Sequence, residues 1–392
     1  MKLLIYSHAF APQVGGIETF TTYLAAGLAD PKGNADLLRY QVVVVTQTPE
    51  SGNAAYHPAG FDLVRRPTAW RLWQLVGTMD KVLITGPAIL PLLFALLRGK
   101  PVIVTHHGYQ SICPNGMLFH FPTRSSCPGH FAAGHYRECV RCNRVYDAFA
   151  NPVGLLLLTF VRRFLSRFAD LNVAVSDHVA KRINLPRTRV VRNGVPKREP
   201  TYLQLLPKAN SPVQFAYLGR LVTEKGVTVL LNAAGVLRQR GRNFRIMIFG
   251  DGPEREALET QAKRLGLAEH VSFLGFQSGA QLDKLMSEVF ALVIPSICED
   301  VAPFSVLEQM MEGRLVIGSL LGGLAEQIGD SGLTFAPGDA DELARQMQVV
   351  IDRPELVAKL GKSARQRALS AYTLDRMLCD YRKLLERQGE SL

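Results

Sequence analysis

Residues 214–226 read QFAYLGRLVTEKG. An apolar run over 214–218 ends at Gly219, and a helical pattern of apolar residues takes over at 227–238. Strand, glycine turn, helix is the unit from which parallel sheets covered by helices are built. The turn sets Arg220 and Lys225 between Gly219 and Gly226. Two cations at the carboxyl edge of a strand can neutralise a pyrophosphate. Glycine lets the backbone come close, and helix N–H groups complete the cradle. Incidental surface cations at a helix start would spell the same letters, so the motif has to be weighed with its neighbours.

The same rhythm extends in both directions. Downstream, a strand at 244–249 runs into Gly250-Asp251-Gly252-Pro253 and a helix; further strands fall at 271–274, 290–294 and 315–318, and the chain is helical from 342 onward. Upstream, a strand at 3–6 leads to Gly15-Gly16 and a helix over 17–28, with strands at 41–46, 81–85, 101–105 and 171–175. Continuous apolar, β-branched strands separated by helices predict α/β architecture with parallel sheets buried on both faces. Two βα series are present, and a Lys-, Pro- and polar-rich stretch at 195–212 reads as the linker between them. Residues 107–143 interrupt the rhythm with four cysteines and four histidines and read as a long irregular insertion. A helix over 153–169 follows, with Arg162, Arg163 and Arg167 on its polar side.

Charge is unevenly placed along the 392 residues. The first 200 carry 23 Lys and Arg against 11 Asp and Glu, and the remainder 22 against 23, so the whole net charge of +11 resides in the first half. A basic half implies an anionic partner, and nucleic acid, lipid headgroups and phosphorylated acceptors all qualify; a solvated basic face with no partner is the plain alternative. The apolar runs at 88–97 and 153–161 fall far short of the about 20 residues that span a bilayer, and the first residues are too short for a signal-peptide core. A cytoplasmic protein is expected, reaching at most the inner face of the membrane, so the six cysteines read first as thiols or metal ligands.

The second half holds further chemistry at successive strand ends. Glu299 and Asp300 precede Phe304-Ser305-Val306 and Glu308, which places carboxylates in a loop and on the following helix, suited to accept hydrogen bonds from sugar hydroxyls. Gly322-Gly323 opens another helix. Together with GGIE at 15–18, THHG at 105–108, NG at 193–194, GRLVTEKG at 219–226, GDGP at 250–253 and GGLAE at 322–326, these residues appear in the order found in family 4 retaining glycosyltransferases. The chain resembles that family nearly end to end.

The resemblance implies the GT-B fold: two Rossmann-like domains facing across a cleft. Residues 1–200 would bind the acceptor, 201–370 the nucleotide sugar, and 371–392 would form a helix packing across domains. It implies a UDP- or GDP-sugar donor whose diphosphate is held by Arg220 and Lys225. Glu308 would take the ribose hydroxyls. Gly15, Gly16, Gly219 and Gly250 would allow close approach, with Phe304, Ser305 and Val306 lining the donor site. His107 would lie near the reacting sugar. Transfer would retain anomeric configuration and need no metal cofactor. One departure stands out: the family carries Glu at both ends of the seven-residue gap, whereas here Asp300 takes the first place with Glu299 just before it. Either can bind the donor sugar. Asp339-Ala340-Asp341 imitates a metal-binding DxD but precedes a helical pattern, and reads as a helix cap.

Cys113, Cys127, Cys139 and Cys142 could close a structural zinc site, with the Cys139/Cys142 pair at the spacing of a knuckle. A subgroup of the family carries a similar cysteine-bearing insertion. The basic first half suits an anionic glycan or lipid-linked acceptor, in cell-surface polysaccharide, lipopolysaccharide or glycolipid synthesis, with peripheral membrane contact through its arginines. Two other readings compete: a catalytically weak partner subunit that binds nucleotide sugar, and a nucleic-acid-binding protein. The latter is disfavoured because aromatic residues do not interleave with the basic ones.

Overall fold

The computed structural model describes residues 1–30, 40–50, 60–200 and 211–386. The chain forms two compact units. The first comprises Met1–Leu118, Pro128–Gly194 and Leu374–Leu392, and the second Phe119–Cys127 and Val195–Thr373. Most of the expected linker, residues 201–210, lies outside the described residues, as do residues 387–392 of the expected final helix.

The first nine strands are β1 (Lys2–Ser7), β2 (Gln41–Thr46), β3 (Asp62–Arg65), β4 (Lys81–Thr85), β5 (Val102–His106), β6 (Phe119–His120), β7 (Ser125–Ser126), β8 (Leu171–Ala174) and β9 (Thr188–Val190). Seven of them make the parallel sheet of the first unit, in the order β3-β2-β1-β4-β5-β8-β9. The order reverses between β1 and β4, where loops leaving neighbouring strands turn to opposite faces and open a crevice at the carboxyl edge. Leu3, Leu4 and Ile5 of β1 and Val82, Leu83 and Ile84 of β4 are buried on both faces, which accounts for the unbroken apolar runs. The helix Leu374–Glu386 follows the second unit in sequence yet belongs to the first. Its Tyr381 ring lies 5.6 Å from Phe20 of the helix Gly16–Ala29. Leu378 sits so close to Gly27 that any β-carbon there would collide with it.

The second unit is a six-stranded parallel sheet of β10 (Val213–Leu218), β11 (Phe244–Phe249), β12 (Val271–Gly275), β13 (Ala291–Ile294), β14 (Leu315–Ser319) and β15 (Leu333–Phe335), ordered β12-β11-β10-β13-β14-β15. Its switch point lies between β10 and β13. The core runs from Phe215 and Phe244 through Leu230, Leu231 and Ile317 to Leu343 and Met347 of the helix Ala340–Asp352. That helix is capped by Asp339, whose Oδ1 accepts the Glu342 N–H at 2.8 Å, so the DxD is a capping motif.

The stretch 107–143 departs from the expected irregular insertion. Its end enters a helix, Tyr136–Tyr146, in which Cys139, Cys142 and Asn143 are buried at helical spacing. Its middle, the hairpin β6–β7, packs into the second unit.

Candidate active site

In the second unit four loops gather at the carboxyl edge on either side of the switch point. Gly219 N–H donates to Phe249 O at 3.1 Å, Leu221 N–H to Asp251 O at 2.9 Å and Glu254 N–H back to Leu221 O at 3.0 Å. These bonds stitch the turn after β10 to the turn after β11. The stitch requires glycine at 250, whose φ of +130° is open to little else and whose absent side chain leaves room for the Gly219 carbonyl. Across the switch point Ile297 N–H donates to Glu224 O at 3.0 Å. Gly226, with φ +66°, leaves space for the Pro295 carbonyl. Gly323 N–H donates to Asp300 O at 2.6 Å, bringing in the loop after β14.

The side chains meet on this frame. Lys225 Nζ pairs with Asp300 Oδ1 in a short, partly buried ion pair, and Ser296 Oγ donates to Asp300 Oδ2 at 2.5 Å. Burial alone would pull the lysine pKa down. The charge of Asp300, then Cys298 and the hydrogen bond to Asp300, outweigh it and hold Lys225 above its ordinary range, so it stays cationic. Burial and the Asp300 charge push the Cys298 thiol up, so it remains protonated. Tyr217, its pKa raised chiefly by burial, donates its hydroxyl to Arg220 O at 2.8 Å. That bond fixes the backbone while the Arg220 guanidinium projects outward, 72% exposed and 4.0 Å from Glu224.

Glu299 and Asp300 part company. Asp300 faces Lys225, whereas Glu299 accepts from Ser126 Oγ at 3.1 Å, on β7. The helix Phe304–Met311 begins after Pro303, whose side chain offers no capping acceptor. Phe304 and Val306 are buried and Ser305 is partly exposed at that helix start. Glu308 sits one turn on, its carboxyl raised by burial against the opposing charge of Arg198.

The remaining expected residues lie in the first unit. Gly15 caps the helix Gly16–Ala29 in extended backbone. Phe20 of that helix lies 4.1 Å, ring to ring, from His107, which follows β5. His107 is half-buried and neutral, its pKa lowered to about 3 by desolvation and by neighbouring His106. Its Nε2 finds no hydrogen-bond partner among the described residues. His106 is held at about 4 by burial, opposed by its bond to Asn172. That bond, His106 Nε2 to Asn172 Oδ1, is 2.9 Å. The Asn172 amide N–H groups donate to Ser166 O and Pro186 O, which leaves its oxygen for His106 and makes Nε2 the protonated nitrogen.

Sequence reasoning missed Ser296, Ser126, Tyr217 and Asn172. Ser296 stands four residues before Asp300 and could have been suspected; the others act from distant positions. Of the four cysteines expected to hold zinc, Cys113, Cys139 and Cys142 lie in the first unit. Cys113 Sγ donates to Asn115 Oδ1 at 3.0 Å and Asn115 Nδ2 to Cys142 Sγ at 3.6 Å, so an amide stands between the two thiols. Cys127 belongs to the second unit. Among the described residues no group of three or more Cys, His, Asp or Glu is arranged to hold a metal ion.

Two family models together match most of the chain: Glycosyltransferase Family 4 over residues 14–199 and Glycosyl transferases group 1 over 200–367. A glycogen synthase of Mycobacterium tuberculosis is 30% identical over 400 residues, taking in 95% of this chain and 91% of that protein. The chain belongs to the family 4 type of GT-B glycosyltransferases. A 2-deoxystreptamine glucosyltransferase of Streptomyces kanamyceticus is 32% identical over 163 residues; that match takes in 41% of this chain and only 42% of the relative. Among solved structures, the Anabaena protein Alr3699/HepE in complex with UDP and glucose superposes with a TM-score of 0.72 at 18% identity, covering 99% of this chain and 100% of that one. Sucrose-phosphate synthase from Thermosynechococcus elongatus does so with 0.72 at 18% identity, covering 98% of each. These likenesses establish that the glycosyltransferase has the GT-B fold.

Proposed function

We propose that this glycosyltransferase binds a nucleotide-sugar donor in its second unit and transfers the sugar, with retention of anomeric configuration, to a glycan or lipid-linked acceptor bound by its first. The observation that carries the reading is the Lys225–Asp300 pair across the β10/β13 switch point, with Arg220 beside it. A lysine kept cationic by a carboxylate can meet a diphosphate, and the carboxylate can meet a sugar hydroxyl. In support, the Anabaena protein of the same fold was solved with UDP-glucose, which favours a UDP-sugar.

In the proposed reaction the bond from the anomeric carbon to the diphosphate oxygen breaks. The acceptor oxygen bonds to that carbon on the same face, and the acceptor's hydroxyl proton leaves with the diphosphate. Arg220, Lys225 and the start of the helix Phe304–Met311 stabilise the departing negative charge. Glu308 holds the ribose hydroxyls and Asp300 the sugar, with Glu299 anchored by Ser126. Neutral His107, whose enclosed Nε2 has no hydrogen-bond partner among the described residues, is given to the reacting sugar on the family resemblance. Because two side chains supply the positive charge, we propose that the reaction is metal-independent and proceeds unchanged in EDTA. The acceptor class is a cell-surface polysaccharide or glycolipid precursor made in the cytoplasm, consistent with the excess basic charge of residues 1–200.

The experiment is a screen of UDP-, GDP- and ADP-sugars for slow donor hydrolysis, with the released sugar's anomeric configuration read by proton NMR before it mutarotates. A single donor hydrolysed to the same anomer supports the proposal. An inverted anomer overturns retention. Donor binding without turnover, even with added polysaccharide and glycolipid acceptors, would favour a binding subunit, a reading motivated by Asp300 standing where the family carries Glu.

A further inference from the structure

The helix Pro152–Ser166 was expected to bury an apolar side and set its arginines on a polar side, in water or against anionic lipid. It does neither cleanly. Leu156, Thr159, Leu165 and Ser166 face inward, but a second apolar row faces out. Val153, Leu157, Val161, Phe164 and Phe168 follow one another at steps of four, four, three and four residues, on one helical face; Leu157 is 59% exposed, Phe164 58% and Phe168 55%. Phe164 and Phe168 stack edge to face at 5.0 Å. Before the helix, Phe149 is 100% exposed, and Val145 and Tyr146 stand out from the end of the neighbouring helix Tyr136–Tyr146. Single exposed apolar residues are ordinary, but an exposed row along one helical face, with further exposed aromatic residues just before it in sequence, is a contact surface.

The charge around this face is of one sign. Residues 136–168 contain six arginines and two acids. Arg137, Arg141, Arg144 and Arg167 are exposed. Both acids are engaged locally: Glu138 with Arg141 at 3.7 Å, and Asp147 accepting the Phe149 N–H at 2.9 Å. Arg163 is spent on the carbonyl of Ile183 at 2.8 Å. An exposed apolar row of Phe, Leu and Val, on a segment whose exposed charges are mostly arginines, matches the boundary between acyl chains and acidic headgroups. A protein partner would need an acidic rim around an aliphatic groove, whereas a bilayer supplies both at once over any area.

We propose that the face formed by Phe149 and the outward side of the helix Pro152–Ser166 docks the chain on an anionic lipid surface, the aromatic side chains entering the headgroup boundary and the arginines binding lipid phosphates. No helix among the described residues is long and apolar enough to cross a membrane, so attachment is to the surface. The inference does not depend on the donor chemistry assigned above.

The test is flotation of the full chain with vesicles of phosphatidylcholine alone or phosphatidylcholine with phosphatidylglycerol, at low salt and at about 0.5 M NaCl, where the screening length falls to a few ångströms. The chain should bind the mixed vesicles, release in salt, and ignore phosphatidylcholine. Phe149→Ser with Phe164→Ser, and separately Arg144→Gln with Arg167→Gln, should each weaken binding at least about tenfold, while Leu369→Ser, on an exposed helix of the other unit, should not. Phe149→Ser alone touches a fully exposed residue and keeps the test informative should a double variant misfold. No binding to the mixed vesicles, or binding indifferent to both double variants, overturns the proposal. So does self-association of the chain that Phe149→Ser and Phe164→Ser abolish, which would make the face an interface between copies.

Discussion

Lys225 and Asp300 compensate one another's burial, and removing either leaves the other exposed to the full desolvation cost. Lys225→Ala should therefore lower stability by about 3–5 kcal/mol, read as a drop in urea midpoint, besides abolishing donor binding. Asp300→Asn keeps the shape but removes the charge; kcat/KM should fall at least about 100-fold, while Glu299→Gln, whose partner Ser126 can still donate, should cost less than about tenfold. The reverse ranking would assign the sugar to Glu299. His106 and His107 set a pH dependence. Their folded pKa values, about 4 and about 3, lie below the unfolded histidine value, so between these limits the unfolded chain binds more protons. The stability they contribute is complete above about pH 6.5 and is lost as pH falls towards 4. Unfolding by urea at pH 7.5 and 5 should show the decline, and His106→Asn should reduce it.

Among the elements, strands and their carboxyl-end glycines were legible in the sequence because a buried parallel strand has one signature and a close-approach loop has another. GRLVTEKG and GDGP announced two turns; that they are stitched through Leu221 and Asp251 could not be read from either alone. The helix Tyr136–Tyr146 was missed because Cys139 and Cys142 were weighed as metal ligands, although a three-residue spacing also buries one helical face. The outward aromatic row of the helix Pro152–Ser166 was missed because its arginines, half-buried in part, suggested the solvent side. Ser126 lies 173 residues from Glu299, and no local pattern reports so distant a partner. Gly226→Ala tests the junction of the loops after β10 and β13. Its left-handed backbone and its contact with the Pro295 carbonyl should cost about 1–3 kcal/mol and displace Lys225, so that donor affinity falls together with the melting temperature.

At the level of the whole molecule, the last described helix returns to the first unit. Tyr381 covers Phe20, which in turn packs on His107, and Leu378 fills the space over Gly27. The end of the chain thus braces the helix that carries the Gly15-Gly16 loop. A chain ending at residue 373 should expose Phe20, and limited proteolysis should cut the first unit before the second. The bulk charge marked the first half as the basic one, but did not show that exposed arginines would stand beside an outward aromatic row.

Calorimetric titration with UDP-glucose, GDP-mannose and ADP-glucose reads out directly whether the Arg220/Lys225 turn holds the diphosphate of a nucleotide sugar. The wild type should bind one of these donors in the micromolar range. Arg220→Ala, at a side chain too exposed to matter for folding, should weaken that donor at least about tenfold with an unchanged melting temperature. A wild type that binds none of the three, or an Arg220→Ala variant that binds as tightly as the wild type, would exclude a diphosphate site at this turn.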